Sequence, residues 1–465
     1  MCGVVAALGV DVDITEPMKR IAHRGIRSHV VYSRNGVVGH VRLPIVGVGQ
    51  EHDQPMVNES GTLIGFVGEI LDFRERYPGM ECDAELVATT WMDQGPAGFK
   101  DFDGFWGIVT IQDRCLHVFT DYLGQKPMYY RTDFPSAASE IDALIPFFPV
   151  TLDKVYLSAV IKWGYCPDLM RTPYNEIKHV RPGEHVVLDM AGVRSRRTVD
   201  TLEPMPYFQP GTDIRKELEA AVKRRVLSSD VQTACLVSGG LDSAIVYTLA
   251  ARYGMPVPYF VSECDNDPEY WEALTVVRPL KMCVDYDGVM PPVITQGLKR
   301  SLWTEVSKDE ALDIMQEPID LGSLRPQVAL SRAVKERVCL TGDGADELFG
   351  GYQRSMRYDS QYSDIFHELP AWHLPRLDRV MMRERIEVRS PFLARNVVRM
   401  ALSLPHTMRQ DKNYLRSIAC DTVSPKIAEK PKLALRIPDI ERDREYYTKT
   451  LVERFVRNFD AKTEA

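Results

Sequence analysis

The chain has 465 residues, 45% of them hydrophobic and 26% charged, with a net charge of −8, which suits a soluble globular protein of two or three domains. It holds no run of about 18 apolar residues, which excludes a membrane-spanning helix, and its acidic balance leaves no footprint for nucleic acid. Nine cysteines without a CxxC pair or a Cys/His cluster at zinc spacing point to a reducing compartment and no structural metal; no basic segment precedes the apolar start, so a cytoplasmic location is expected.

The first part reads as short strands. Gly36 to Val41, Thr62 to Val67, Trp106 to Ile111 and Cys115 to Phe119 are apolar runs punctuated by Gly, Asp and Arg, as strands between turns are. Glu85 to Met92 reads as a helix. A last strand is expected at Val186 to Asp189, ahead of the Ala191-Gly192 turn. Arg194, Arg196 and Arg197 then read as a solvated hairpin end rather than an RNA patch. Thr201 to Gly211 carries three prolines and little periodicity, which marks a linker. The expected division is 1–198, a linker 199–212, and 213–465.

The second part alternates helices and apolar strands. Asp213 to Val226 is a charged amphipathic helix with Leu218, Ala221, Val222 and Arg225 at helical spacing. Ala234 to Val237, Val257 to Val261 and Val338 to Leu340 suit buried parallel strands. Beyond Gly351 the pattern is mainly helical.

Two loops in this part carry chemistry. Ser238-Gly239-Gly240-Leu241-Asp242-Ser243 lies between a strand and a helix. Its glycines let the backbone approach a ligand, and the helix N-terminus with two serine hydroxyls faces an anion. Asp242 would repel phosphate unless a cation intervenes, which implies Mg²⁺. No Walker GxxxxGK[ST] is present. A Gly-rich turn with a helix cap is the plainer alternative. Thr341 to Tyr352 (TGDGADELFGGY) also follows an apolar run, and its three carboxylates among glycines suit cation ligands beside a nucleotide.

Cys2 suggests a different chemistry. If Met1 is removed, the thiol shares its residue with an α-amine of pKa about 7.7–8.0, which can act as its general base. Alone, Cys2 reads rather as a chance cysteine in a terminal strand.

Its neighbours change that reading. His23-Arg24-Gly25, Arg42 to Val46, Gly68-Glu69-Ile70, Asp83-Ala84-Glu85, Asp121 to Gly124 with Pro127 to Tyr129, and Ala138 to Ile141 resemble, in order, the segments of class II glutamine amidotransferase domains. The resemblance implies an Ntn-hydrolase αββα sandwich with Cys2 as nucleophile. It implies a glutamine pocket of Arg42, Leu43, Ile45, Val46, Val67, Gly68, Glu69 and Asp83. In that pocket Arg42 takes the carboxylate, Glu69 and Asp83 take the α-ammonium, and the Gly68 N–H serves the oxyanion. A zwitterion does need a fixed cation and a fixed anion side by side. Val67 departs from the family's Asn, the second oxyanion donor, and Thr120 departs from its usual arginine. A lost donor costs about 10²–10³ in rate.

The loop Ser238 to Ser243 resembles the pyrophosphate loop of N-type ATP pyrophosphatases, and Thr341 to Tyr352 resembles the asparagine synthetase SGxGxDExFGGY, with Thr341 for serine. That family has an adenine nucleotide alpha hydrolase-like parallel-sheet domain with a helical C-terminal part. The resemblance implies ATP held by Leu236, Val237, Ser238, Gly239, Gly240, Asp242, Ser243, Val261, Thr341, Gly342 and Lys432. It implies Mg²⁺ on Asp242 and Asp346, and a part for Asp343 in forming an acyl-adenylate. Glu317-Pro318 with Ser323, Leu377-Asp378-Arg379, Glu387 to Leu393 (with Ala394 in place of the final Asp), Lys412 with Leu415-Arg416, and Lys430-Pro431-Lys432 continue the resemblance. Lys432 aligns with the lysine that neutralises the phosphates. Glu317 and Glu387 are candidates for the acceptor's ammonium or for deprotonating ammonia, and each also reads as a solvated helix face.

The function this implies is ATP-dependent, glutamine-hydrolysing amidation of the aspartate side chain, giving asparagine, AMP and pyrophosphate. Its partners are glutamine, aspartate and ATP, with a homodimer as one possible assembly. The alternatives are the same chemistry on another acceptor, an amide-forming cyclase of β-lactam-synthetase type, for which Cys2 would be superfluous, and a non-catalytic descendant.

Overall fold

The computed structural model describes residues 2–202, 213–262, 273–274, 276–277, 298–319, 322–352, 362–430 and 444–463. The first part holds two six-stranded antiparallel sheets. Their strands are β1 (Gly3–Leu8), β2 (Arg27–Ser33), β3 (Gly36–Arg42), β4 (Met56–Val57), β5 (Leu63–Ile70), β6 (Gly104–Gln112), β7 (Cys115–Thr120), β8 (Tyr129–Arg131), β9 (Ser136–Ala138), β10 (Ile177–His179), β11 (Glu184–Asp189) and β12 (Gly192–Thr198). One sheet has the order β10-β8-β9-β1-β3-β2 and the other β12-β11-β7-β6-β5-β4.

The sheets pack face to face. Val4, Ala6 and Val38 of the first share a core with Val67, Val109 and Val118 of the second. Outside the first, Val5, Ala7 and Val37 meet Met18 and Ile21 of the helix Thr15–Ile21. Outside the second, Phe66, Ile108 and Phe119 meet Leu86, Val87 and Trp91 of the helix Asp83–Gln94. Central strands are thus covered on both faces. That explains why β1, GVVAAL, is apolar throughout and buried at every position, without the alternation of a half-exposed strand. This is the expected αββα sandwich.

The expected last strand, β11, is followed by one more. Arg194, Arg196 and Arg197 lie on the edge strand β12, and Arg196 reaches the buried Glu184 at 2.7 Å. The cluster therefore lies on the outer strand of the β11–β12 hairpin, with Arg194 and Arg197 exposed as a solvated hairpin end requires and Arg196 drawn into one structural ion pair.

The second part holds a five-stranded sheet in which every pairing is parallel. Its strands are β13 (Thr233–Leu236), β14 (Val257–Ser262), β15 (Lys299–Leu302), β16 (Val338–Leu340) and β17 (Glu387–Arg389), in the order β15-β14-β13-β16-β17. The helix Ile214–Leu227 is capped by Asp213 and buries Leu218, Ala221, Val222 and Arg225, as its spacing predicts. The strands β15 and β17 escape the sequence reading. Glu387-Val388-Arg389 is a buried strand, not part of a helical run. The C-terminal helix Arg444–Thr463 returns to the first part, where Val452 packs on Tyr156 and Val160 of the helix Lys154–Trp163.

The two parts meet through buried charges. Arg24 donates to Asp378 at 2.8 Å, Arg395 to Asp200 at 2.7 Å, and Arg379 to the Tyr129 hydroxyl at 2.5 Å.

Candidate active sites

Cys2 immediately precedes β1, a central strand of the sandwich. Its side chain is buried beside Val67 and Met128. Burial pushes the thiol up, against the opposing pull of the N-terminal charge, the Leu43 N–H and Arg42. A buried thiol of this kind needs a base to form its nucleophile. The Cys2 carbonyl accepts from Arg24 Nε at 3.0 Å, and Arg24 also donates to Glu140 at 2.7 Å.

Gly68 on β5 has φ +131°, and a Cβ there would stand 2.0 Å from the Phe105 carbonyl. Only glycine fits. The neighbouring Val67 is 1% exposed and packed among apolar side chains, so it supplies bulk alone. Thr120 closes β7 and donates its hydroxyl to the Arg181 carbonyl at 2.9 Å.

Arg42, at the end of β3, is heavily engaged. It donates to the carbonyls of Val46 (3.0 Å), Gly47 and Gly49 (2.6 Å), and to Asp53 at 2.9 Å. Four donations leave one of five guanidinium N–H groups. A ligand carboxylate at Arg42 must use that remaining edge or share the loop 46–53. The Ile45 carbonyl is taken by the Asp230 N–H at 3.0 Å.

Glu69 and Asp83 are both buried. Asp83 opens its helix and accepts the Ile70 N–H at 2.8 Å. Burial pushes it up to about 6, the Ile70 N–H opposes that, and Glu387 adds to it. Burial, then Glu387 and Asp83, push Glu69 well above the usual carboxylate range.

Glu387 is the unexpected member. It was a candidate for the acceptor pocket or for a solvated helix face. It is instead fully buried on β17, in electrostatic contact with Glu69 and Asp83. Burial opposes its charge, yet the N-terminus, Arg389 and Lys126 hold it below its ordinary range. Arg389 lies 2.6 Å from Glu387 and 3.7 Å from Glu69. Three buried carboxylates thus surround one guanidinium, an arrangement that favours a further cation such as an α-ammonium.

Glu317 is also buried, again excluding a solvated face. It accepts from the Tyr156 hydroxyl at 2.8 Å and pairs with Arg379. It belongs to the seam between the two parts.

The second site lies at the C-terminal ends of β13 and β16, which are adjacent in the sheet. Open parallel sheets bind ligands at such ends. In the first loop, Gly239 has φ +75°, and the Ser238 and Ser243 hydroxyls meet at 3.0 Å. The ten-residue helix Leu241–Ala250 starts there. Leu236 and Val237 lead into the loop, and Val261 lies on the neighbouring β14. The second loop touches the first, since a Cβ on Gly342 would stand 2.9 Å from the Asp242 Cβ. The Asp343 N–H lies 3.4 Å from the Thr341 hydroxyl, and its carbonyl accepts from Ser390.

Asp242 and Asp346 converge on a cation, the Lys412 ammonium, at 2.5 and 2.6 Å. Lys412 and Asp411 both have left-handed backbones, φ 56° and 48°, strain of the kind that concentrates at functional positions. A Cβ on Gly351 would stand 1.8 Å from Asp346 Oδ1 and 2.4 Å from Lys412 Cε. Two hard oxygen donors around one cation, in a cradle that excludes a side chain, fit Mg²⁺. Lys412 entered the sequence reading only as a basic family element. No local signal marks its place, since the loops that carry Asp242 and Asp346 lie far from it in the chain. Lys432 lies outside the described residues.

A glutamine amidotransferase domain model matches residues 1–198, and an asparagine synthase model matches 213–377 and 354–463. The chain is 25% identical over 449 residues to an asparagine synthetase [glutamine-hydrolyzing] of Sandersonia aurantiaca, covering 87% of this chain and 78% of that one. It is 26% identical over 462 residues to a probable asparagine synthetase [glutamine-hydrolyzing] of Schizosaccharomyces pombe, with shares of 87% and 76%. To asparagine synthetase B [glutamine-hydrolyzing] of Escherichia coli K12 it is 24% identical over 454 residues, with shares of 87% and 75%.

Proposed function

The chain belongs to the asparagine synthase family, with a glutamine amidotransferase domain ahead of the synthase part, and on that premise we propose that it hydrolyses glutamine and uses the ammonia to amidate a carboxylate, aspartate first among candidates. The observation that carries the proposal is the meeting of the two phosphate-type loops on adjacent parallel strands, with Asp242 and Asp346 around one cation.

In the first half-reaction the Cys2 thiol gives its proton to a base, its own α-amine once Met1 is removed, and attacks the glutamine amide. Arg42 orients the substrate carboxylate, and Glu69, Asp83 and Glu387 hold its α-ammonium. The protonated α-amine returns its proton to the amide nitrogen, the C–N bond breaks, ammonia leaves, and water clears the thioester to glutamate. The Gly68 N–H stabilises the oxyanion, with Val67 contributing nothing polar. In the second, the Ser238 to Ser243 loop and the Leu241 helix N-terminus hold the departing pyrophosphate. Mg²⁺ held by Asp242 and Asp346 would neutralise phosphate charge. The acceptor carboxylate takes AMP from ATP because AMP is a better leaving group than carboxylate oxygen, and ammonia then displaces AMP. Lys432 is proposed to counter the phosphate charge.

The test is ATP–pyrophosphate exchange with a panel of carboxylates. Aspartate-dependent exchange is expected, with Asp242→Asn and Ser238→Ala abolishing it while glutaminase activity persists. Release of ADP and phosphate would overturn the adenylation reading. Exchange with another carboxylate in place of aspartate would reassign the acceptor.

A further inference from the structure

The loop that surrounds Arg42 carries a third constellation, beside the first site and apart from the second. His52 closes the short turn Gln50–His52, and its side chain is only 6% exposed. Its Nε2 lies 3.6 Å from Glu51 Oε1 and 3.6 Å from Glu81 Oε2, and its Nδ1 lies 3.5 Å from Glu85 Oε1. These separations exceed a normal N–H···O bond of about 2.7–3.2 Å. The two Nε2 separations match something else. Nitrogen and oxygen ligands at about 2.0–2.2 Å from a tetrahedral zinc stand roughly 3.3–3.6 Å apart. The ligand atoms of Glu51, His52 and Glu81 all lie within 4.8 Å of one another, the only such trio among the described residues.

The backbone makes room for them. A Cβ on Gly49 would stand 1.9 Å from Glu51 Oε1, and one on Gly47 would stand 2.7 Å from His52 Cδ2. The cluster borders a cavity of about 570 Å³ whose other charged lining is Arg74 and Asp230. Those two pair with each other at 2.6 Å, so Arg74 does not neutralise the three glutamates.

We propose that Glu51, His52 and Glu81 bind one divalent transition ion of the zinc class. An imidazole among carboxylates selects such an ion over Mg²⁺ or Ca²⁺. On binding, Glu85 closes from 3.5 Å onto the Nδ1–H and fixes the tautomer that presents Nε2 to the ion, the usual carboxylate–histidine–metal arrangement. The fourth position faces the cavity and takes water. The chain offers no motif for this site because residues 51, 52 and 81 lack zinc spacing. The ion joins the loop 46–53, whose carbonyls and Asp53 hold Arg42, to the segment leading into Asp83. It therefore orders both sides of the glutamine pocket together. That consequence rests on the glutaminase reading above, whereas the binding itself does not.

The test uses the full chain, treated with chelator, in a Cys2→Ala background so that this thiol does not compete. Zn²⁺ is titrated against a chromophoric chelator, without nucleotide or glutamine. His52→Gln and Glu81→Gln should each weaken one equivalent of zinc at least tenfold. The Glu81 side chain is 78% exposed, so its replacement leaves folding intact. Equal affinity in all three proteins would overturn the site. Zinc should also slow hydrogen exchange over residues 46–53 in the parent but not in His52→Gln. Unchanged exchange would overturn the ordering of the pocket, while ATP–pyrophosphate exchange judges the enzyme reading separately.

Discussion

Replacing Lys412 by methionine keeps most of its apolar stem and removes its charge. In the structure the ammonium contacts Asp242 and Asp346 at 2.5 and 2.6 Å, with the lysine 6% and the aspartates 20% and 22% exposed. At an effective dielectric of about 20, each contact carries on the order of 6 kcal/mol of gross attraction, and desolvation of the ammonium cancels much of it. Removing one partner of a buried pair costs about 3–5 kcal/mol, here because Asp242 and Asp346 both lose the ammonium they share. Lys412→Met should therefore melt earlier in metal-free buffer. It should also bind Mn²⁺ or Mg²⁺ without nucleotide at least tenfold more tightly than wild type, which must first displace its own cation. Metal at about one hundred times its Kd returns roughly 2.7 kcal/mol, recovering most of the lost stability. The assays are Mn²⁺ titration and thermal melts without ATP, with Asp242→Asn/Lys412→Met as the control in which the gain disappears. Equal Mn²⁺ affinity in wild type and Lys412→Met would refute the view that the lysine occupies the metal position.

Cys2→Ala should end glutamine-dependent synthesis and leave ammonia-dependent synthesis intact, and a variant equally dead with ammonium would sink the division of labour between the sites. Val67→Asn should raise glutaminase kcat about tenfold or more, with little change in KM, because the added donor acts on charge present only in the transition state; steady-state kinetics showing no gain would mean that another group fills the oxyanion hole. The pH dependence follows from Asp83, pushed up to about 6 by burial and Glu387. Below that pH it is protonated and loses its attraction for an α-ammonium, so kcat/KM for glutamine should fall as pH drops through about 6, and Asp83→Asn should remove that limb of the profile.

The parts legible in the sequence are those whose partners lie nearby in the chain. Ser238 to Ser243 reads as an anion loop because its glycines, serines and helix start are contiguous. Strands β13, β14 and β16 read as short apolar runs between polar turns. Strand β17 does not, because Glu387 and Arg389 look like solvent-facing charge and instead neutralise each other at 2.6 Å inside the protein. Periodicity treats a charge as a surface mark and misses a pair that is buried together. The edge strand β12 hid for a similar reason, its arginines masking the pairing of Arg196 with Glu184. Arg42 was legible as a cation for a carboxylate. That the carbonyls of residues 46, 47 and 49 already crowd it depends on how the loop turns back, which residue types alone do not state. Lys412 required knowing that two loops a hundred residues apart end side by side.

Arg24 donates to the backbone carbonyl of Cys2, to Glu140, and to Asp378 more than 350 residues along the chain. Both the guanidinium and the distant carboxylate are 1–2% exposed. A polypeptide ending in the linker would strand that arginine without one counter-ion and leave Asp378 unmatched in the other fragment. Fragments made separately should therefore be poorly behaved, and fragments made together should associate through these stranded charges. The boundary between the two chemistries is then not a boundary between two independent folding units. Relocating either half onto another protein means supplying a substitute for a contact that neither reaction visibly uses.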